Sequence, residues 1–382
     1  MAQFNTDYPS VTDLRNKAKA RVPRFAFEYL DGGCNEDVSL SRNTAEIREI
    51  QLQPRYLRNQ GSSSTKTTVM GMEFDAPFGI APVGLQGLMW PNSPAILAEA
   101  AAKHNIPFIL STVTTMNIER ASELTEGRAW FQLYNPVEDA VRNDILKRAE
   151  AAGCPVLVLL CDVPTFGFRP RDFKNGLALP PKMSVANILQ ILGKPKWAFN
   201  TLKYGQPTFE TLKPYTPEGL NLKQLGAFMD RTFSGKLNAE RIKPIRDQWK
   251  GKLVLKGVAS EQDTKDAIAM GFDGVILSNH GGRQLDAAQS TIGTLKDIES
   301  KYGDQIEIML DSGLRSGPDI ARVMASGAKF SFMGRSFMYG VGALGKKGGD
   351  HTIAMLKTQF QQVMDQLCCE RVEDLPKHLI KS

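Results

Sequence analysis

The sequence predicts a (β/α)8 barrel, and three observations carry that expectation. Eight short apolar runs recur along the 382 residues. They are rich in Val, Ile, Leu and Phe and mostly lack the alternation of half-exposed strands, as strands covered on both faces do. Helix-like segments separate them, and polar or charged residues end six of the eight, where a barrel carries its functional loops. A doubly wound open sheet is the alternative, but no G-x-G-x-x-G follows an early run.

Taken in order, residues 1–70 are expected to form a mostly helical segment ahead of the barrel. The runs are 76–82, 107–111, 129–134, 155–162, 252–257, 273–279, 306–311 and 328–334. Helical patterns lie at 93–105, 139–153, 260–271 and 317–327. The last two end in Gly, a common residue just past a helix C-terminus. A plain barrel takes about 250 residues. The surplus falls in the N-terminal segment and in an insertion at 176–235, and residues 1–382 read as a single domain. The insertion holds seven basic and three acidic residues, with Trp197, Phe199, Tyr204, Phe209, Tyr215, Phe228 and Phe233. Basic and aromatic residues together suggest an interfacial membrane contact or an active-site lid. The other reading is a solvated excursion packed on the barrel or on a neighbouring subunit.

Composition narrows the function classes. Hydrophobic residues make up 42% and charged residues 23% of the chain, enough apolar surface for a large core. A net charge of +6 is too mild for a dedicated nucleic-acid binder. Cys34, Cys154, Cys161, Cys368 and Cys369 are odd in number and irregularly spaced. No apolar signal core opens the chain, and no run reaches the ~18 residues of a membrane span. A reducing, cytoplasmic setting is expected. No P-loop, zinc spacing, nucleophile elbow or nucleic-acid motif is present, and no metal is expected.

The residues that end the runs are the candidates for chemistry. His280 is the natural acid/base, since its unperturbed pKa lies near neutrality. Arg169 and Arg283 are two fixed forks suited to a carboxylate, which suggests a small anionic substrate. Lys256 is able either to form a Schiff base or to place a fixed charge beside a cofactor. The segments 311–317 and 333–336 bring Gly, Arg and free backbone N–H groups to the barrel end that commonly holds a phosphate.

At SNHGGRQLD (278–286) the chain resembles the FMN-dependent α-hydroxy-acid oxidase/dehydrogenase family. The resemblance runs along nearly the whole chain. It takes in VPRFAFEYLDGG, IAP, FQLY, D-x-P-x-x-G-x-R from Asp162, LVLKGV, LDSGLRSG and MGR. It implies FMN as cofactor and an (S)-2-hydroxy acid as substrate, lactate by default, with mandelate and glycolate next. His280 would be the base, oriented by Asp162. Arg169 and Arg283 would clamp the carboxylate, and Tyr29 and Tyr134 would bond the carboxylate and hydroxyl. Lys256 would stand at the flavin N1/O2 edge. Pro82, Val83, Gly84, Ser111, Gln132 and Ser278 would contact the ring or ribityl chain. Asp311, Gly313, Arg315, Gly334 and Arg335 would hold ribityl and phosphate.

Val113, Leu160 and Phe166 depart from residues found in other members, which leaves the substrate side chain open. Gly84, where oxidases often carry Ala, tilts the reading to a dehydrogenase. The insertion resembles the membrane-attaching segment of bacterial lactate and mandelate dehydrogenases, which implies a quinone or other non-oxygen acceptor and peripheral contact with the inner face of the cytoplasmic membrane. A homotetramer is implied, and without an N-terminal haem domain a flavocytochrome is not. The other readings are an oxidase that makes H2O2, a Schiff-base aldolase using Lys256, and a flavin-binding protein without activity.

Overall fold

The computed structural model describes residues 4–57, 61–177, 184–217, 232–233 and 237–380. Each of the eight expected runs forms a strand. In chain order these are β1 (Phe78–Ile80), β2 (Ile109–Ser111), β3 (Trp130–Leu133), β4 (Val156–Leu160), β5 (Lys252–Val258), β6 (Gly274–Leu277), β7 (Glu307–Leu310) and β8 (Phe330–Met333). All neighbours pair in parallel, β8 pairs with β1, and a parallel bridge from Ile80 to Phe108 closes the ring between β1 and β2. The expected barrel is therefore what the chain forms, and the open sheet is not.

The strands are shorter than the apolar runs because the run ends turn into functional loops. Their side chains are buried on both faces. Inward residues Ile109, Trp130, Val156, Val158, Val254, Ile276, Met309, Phe330 and Phe332 fill the barrel as one cluster. The outward set, including Phe131, Leu157, Leu159, Leu253, Leu255 and Val275, packs under the helices in a second cluster. Each such side chain contributes about 1.5–3 kcal/mol by leaving water.

The helices start where short polar side chains cap them. Ser260, Ser290 and Ser316 each accept a hydrogen bond from a backbone N–H three residues on. Helices cover the four expected segments at Ser93–Lys103, Asp139–Ala151, Glu261–Ala269 and Gly317–Ala325.

Among its described residues the N-terminal segment is helical only at Val11–Arg21, Arg24–Asp31 and Val38–Glu49. Its end departs from the helical expectation, for Thr67–Val69 pairs with Met72–Phe74 in a small antiparallel hairpin that the sequence reading lacked. Val69, Met70 and Phe74 of this hairpin join the inward cluster, so the hairpin plugs the barrel end away from the functional loops.

Of the 176–235 insertion, residues 178–183, 218–231 and 234–235 lie outside the described residues. The described part holds helices Val185–Leu192 and Pro195–Tyr204. Trp197 anchors the second to the barrel, donating to the Leu88 carbonyl at 3.2 Å and meeting the Phe25 ring edge-on. Val185, Ile188, Leu189 and Leu192 share one face of the first helix, yet that face is exposed, Leu192 at 70%. Phe199 and Leu202 are exposed on the second, Leu202 at 84%. Among the described residues no helix is long and apolar enough to cross a membrane.

Candidate active site

The loops after β4, β5 and β6 bring the imidazole and its carboxylate together. Nδ1 of His280 lies 3.2 Å from both carboxylate oxygens of Asp162. Burial raises the Asp162 carboxyl, and His280 and Lys256 more than offset it, so the group stays ionised. An ionised carboxylate only accepts, so Nδ1 carries the proton and Nε2 is left as the basic atom. Burial lowers the His280 pKa against the opposing pull of Asp162, and Lys256 and Arg169 lower it further. The imidazole is thus held neutral, in the form that takes up a proton.

A left-handed backbone places that ring. His280, Gly281 and Gly282 have φ of 58°, 66° and 73° in succession. A Cβ on Gly281 would lie 2.5 Å from Arg335 Nη1, and one on Gly282 would lie 2.4 Å from the Leu40 backbone nitrogen. Two glycines are required here by space as well as by conformation.

Lys256 ends the main pairing of β5 and is almost fully buried. Its Nζ donates to Ser278 Oγ at 2.8 Å and lies 3.0 Å from Asp311. Burial lowers its pKa, but Asp311 and Asp162 more than offset that and hold the pKa above its ordinary value. A Schiff-base nucleophile must be a free amine. A charged, ion-paired lysine is the opposite, so the geometry speaks against the aldolase reading and for a fixed positive charge.

Two arginine pairs stand without enough acid. Arg283 is pushed down to about 9 by burial and then by Arg169. It donates to the carbonyls of Tyr29 and Gly32 and its guanidinium covers the Tyr29 ring at 5.0 Å. The nearest acid to Arg169 is Asp172 at 3.9 Å. Tyr134 completes the group. Its hydroxyl is pushed well up by burial, then by Asp162 and Tyr29. An anion between the two guanidiniums would relieve their repulsion.

The second pair, Arg315 and Arg335, lies beyond β7 and β8. Burial pushes Arg335 down to about 10, and Arg315 adds repulsion. Arg335 donates from Nε to Leu30, from Nη1 to Gly281 and from Nη2 to Gly32, each carbonyl at 2.8 Å. The sequence reading placed Arg335 on a phosphate. In the structure its side chain also ties the Tyr29 helix to the His280 loop. Its backbone opens the helix Arg335–Leu344 just after Gly334, so that helix N-terminus adds unpaired N–H groups.

The remaining expected residues gather around the same mouth. Ser111, Gln132 and Ser278 are buried at the ends of β2, β3 and β6. Pro82, Val83 and Gly84 follow β1, and a Cβ on Gly84 would touch Val113 at 3.1 Å. Gly313, with φ 99°, follows Asp311. The donor set suits a phosphorylated flavin: the buried Arg335, the half-buried Arg315 and a helix N-terminus for phosphate, and a buried ammonium with neutral hydroxyl and amide side chains nearby for a polar ring edge.

Sequence reasoning missed Gly257, Ser312 and Gln284, and it placed Asn279 at the end of its run without a role. Gly257, with φ 104°, lets β5 pass close to Asp162. Asn279 exchanges reciprocal amide bonds with Asn43 at 2.7 and 2.8 Å. Ser312 bonds both Asp311 and the Gly281 N–H. Gln284 spans the β4 and β6 loops. Asn279 and Gln284 stand inside SNHGGRQLD and Ser312 inside LDSGLRSG, so the motifs held the signal without the roles.

A barrel whose mouth joins a neutral imidazole, its carboxylate, a buried ammonium and two arginine pairs short of acid has the groups of an enzyme that handles protons and anions. The chain belongs to the FMN-dependent dehydrogenase family, whose model matches residues 18–382. It is an FMN-dependent enzyme acting on CH–OH groups. An L-lactate dehydrogenase of Caulobacter sp. (strain K31) is 36% identical over 356 residues, 93% of each chain. The monotopic membrane protein (S)-mandelate dehydrogenase has a TM-score of 0.93 at 33% identity, over 99% of this chain and 100% of its own. A mandelate oxidase has a TM-score of 0.82 at 29% identity, over 98% of each chain.

Proposed function

We propose that the protein oxidises a small (S)-2-hydroxy acid to the 2-oxo acid, with L-lactate as its substrate, and delivers the electrons to a quinone or other non-oxygen acceptor at a membrane surface. The observation that carries the chemistry is the neutral, Asp162-oriented His280 beside Arg169 and Arg283, two half-buried arginines with no adequate acid. Arg169 and Arg283 hold the carboxylate, and Tyr29 and Tyr134 bond the carboxylate and hydroxyl. His280 Nε2 takes a proton from the substrate, and Asp162 stabilises the imidazolium that results. The redox chemistry would be supplied by bound FMN, a two-electron acceptor that would also take up the second proton of the oxidation. Lys256 would supply fixed positive charge to the flavin ring, and Pro82, Val83, Gly84, Ser111, Gln132 and Ser278 would hold the ring and ribityl chain. Asp311, Gly313, Arg315, Gly334 and Arg335 hold ribityl and phosphate.

The lactate assignment is supported by the L-lactate dehydrogenase relatives. Membrane delivery is supported by the outward apolar faces at 185–204, with Lys194, Lys196 and Lys203 among them, and by likeness to a monotopic membrane protein. Peripheral attachment at the inner face of the cytoplasmic membrane and a homotetramer are parts of the same reading.

The test is an anaerobic titration of the purified flavoprotein with L-lactate, (S)-mandelate and glycolate, followed by admission of air. Bleaching of the ~450 nm flavin band by L-lactate with slow reoxidation in air is expected. Bleaching by another acid alone removes lactate. Rapid reoxidation in air would favour the second reading, an oxidase producing H2O2, which the likeness to mandelate oxidase supports.

A further inference from the structure

Arg169 reaches the site from the loop after β4, and its guanidinium has no close acid of its own. What aims it is Gln284. The Oε1 of Gln284 accepts from Arg169 Nη2 at 3.2 Å and from the Gly167 N–H at 3.3 Å. Its Nε2 donates to the carbonyls of Asp162 and Thr165, each at 3.0 Å. Only one orientation of the amide satisfies all four, since two partners are donors and two are acceptors. The two loops are also in direct backbone contact here. A Cβ on Gly167 would lie 2.1 Å from the Arg283 carbonyl oxygen. Arg169 Nε is within 3.5 Å of that same carbonyl.

We propose that Gln284 is the positioning residue of the carboxylate clamp: it orients Arg169 with a neutral acceptor and sets its spacing from Arg283. This rests on the reading of Arg169 and Arg283 as a carboxylate clamp. The neutrality matters. An amide directs the guanidinium without cancelling its charge, whereas a carboxylate at 284 would pair with Arg169 and compete with the substrate. A glutamate would also face the carbonyls of Asp162 and Thr165 with no proton to donate.

The experiment is anaerobic stopped-flow reduction of the holoenzyme by L-lactate, (S)-mandelate and glycolate. It reads an apparent Kd and a limiting reduction rate for wild type, Arg169→Met, Gln284→Met, Gln284→Glu and the Arg169→Met/Gln284→Met double variant. Gln284→Met is expected to raise the Kd about tenfold or more, the scale of a lost bond to a charged group. The limiting rate is expected to change by less than about threefold. In the Arg169→Met background the same change is expected to alter Kd by less than about twofold, because the two residues act as one unit. Gln284→Glu is expected to raise the Kd at least as much, with partial recovery as pH falls and the new carboxylate protonates.

An unchanged Kd in Gln284→Met overturns the proposal, as does the same rise with and without Arg169. Should Gln284→Met fail to hold FMN, a wild-type Kd in Gln284→Glu overturns it. If Arg169→Met itself leaves Kd unchanged, the clamp reading falls first. A wild-type flavin that none of the three acids reduces overturns both.

Discussion

A Cβ atom on Gly257 would lie 2.5 Å from the Cβ of Asp162. The residue that orients the imidazole is therefore seated against a bare backbone on the neighbouring strand. The pairing of β5 with β6 shifts register between Lys256 and Val258, on either side of that glycine. The shift is a local bulge, a device that re-aims the strand beside a site.

Gly257→Ala should strain the backbone and push Asp162 off the His280 Nδ1. A non-glycine residue in this conformation costs about 1–3 kcal/mol. Thermal unfolding should record that loss. Anaerobic flavin reduction should slow by about tenfold or more, since a misplaced orienting group costs rate steeply. A wild-type reduction rate would show that Asp162 tolerates the shift.

His280→Gln should keep FMN and lose reduction by about 10²–10⁴-fold, the contribution of a placed base. Wild-type kcat/KM should have an acid limb below the ordinary imidazole value of 6.5, because burial favours the neutral ring. Activity depends on that neutral form and is lost as pH falls through the limb. Asp162→Asn removes the anion that opposes burial and should shift the limb lower still. A limb above 6.5 would contradict the assignment.

Lys256→Met should destabilise the fold by about 3–5 kcal/mol, because Asp311 is left buried beside no cation. Lys256→Met with Asp311→Asn should recover part of that loss in a melting experiment. Borohydride treatment with the 2-oxo acid should label no residue at 256, since the amine is held charged. Labelling there would revive the Schiff-base chemistry.

Replacing Val185, Leu189, Leu192, Phe199 and Leu202 by Ser should abolish sedimentation with anionic vesicles. Each inserted side chain is worth about 1.5–3 kcal/mol of apolar burial. Reduction by lactate in solution should remain, because these side chains are exposed on helices outside the catalytic cluster. Undiminished vesicle binding would move the attachment to another surface.

Much of the barrel was legible in the sequence. Strands covered on both faces have to be apolar throughout, so β3 to β8 stand out as continuous runs between helices. The 67–74 hairpin did not stand out. Its strands are only three residues each, and a short polar and apolar mixture carries no period. The irregular stretch after Glu49 was likewise read as helical, although Pro54 and the run Gly61–Ser64 favour loop.

The sequence by itself determined which acid–base and anion-binding side chains end successive strands. It named His280, Asp162, Lys256 and the arginines, since a barrel gathers its strand ends at one mouth. Only the tertiary structure decided how those groups act on each other. The charge of Lys256, the neutrality of His280, the mutual repulsion of the arginine pairs and the aim of Arg169 all depend on separations of about 3 Å between loops far apart in the chain. Burial and distance set pKa and hydrogen bonding, and neither is written in the order of residues.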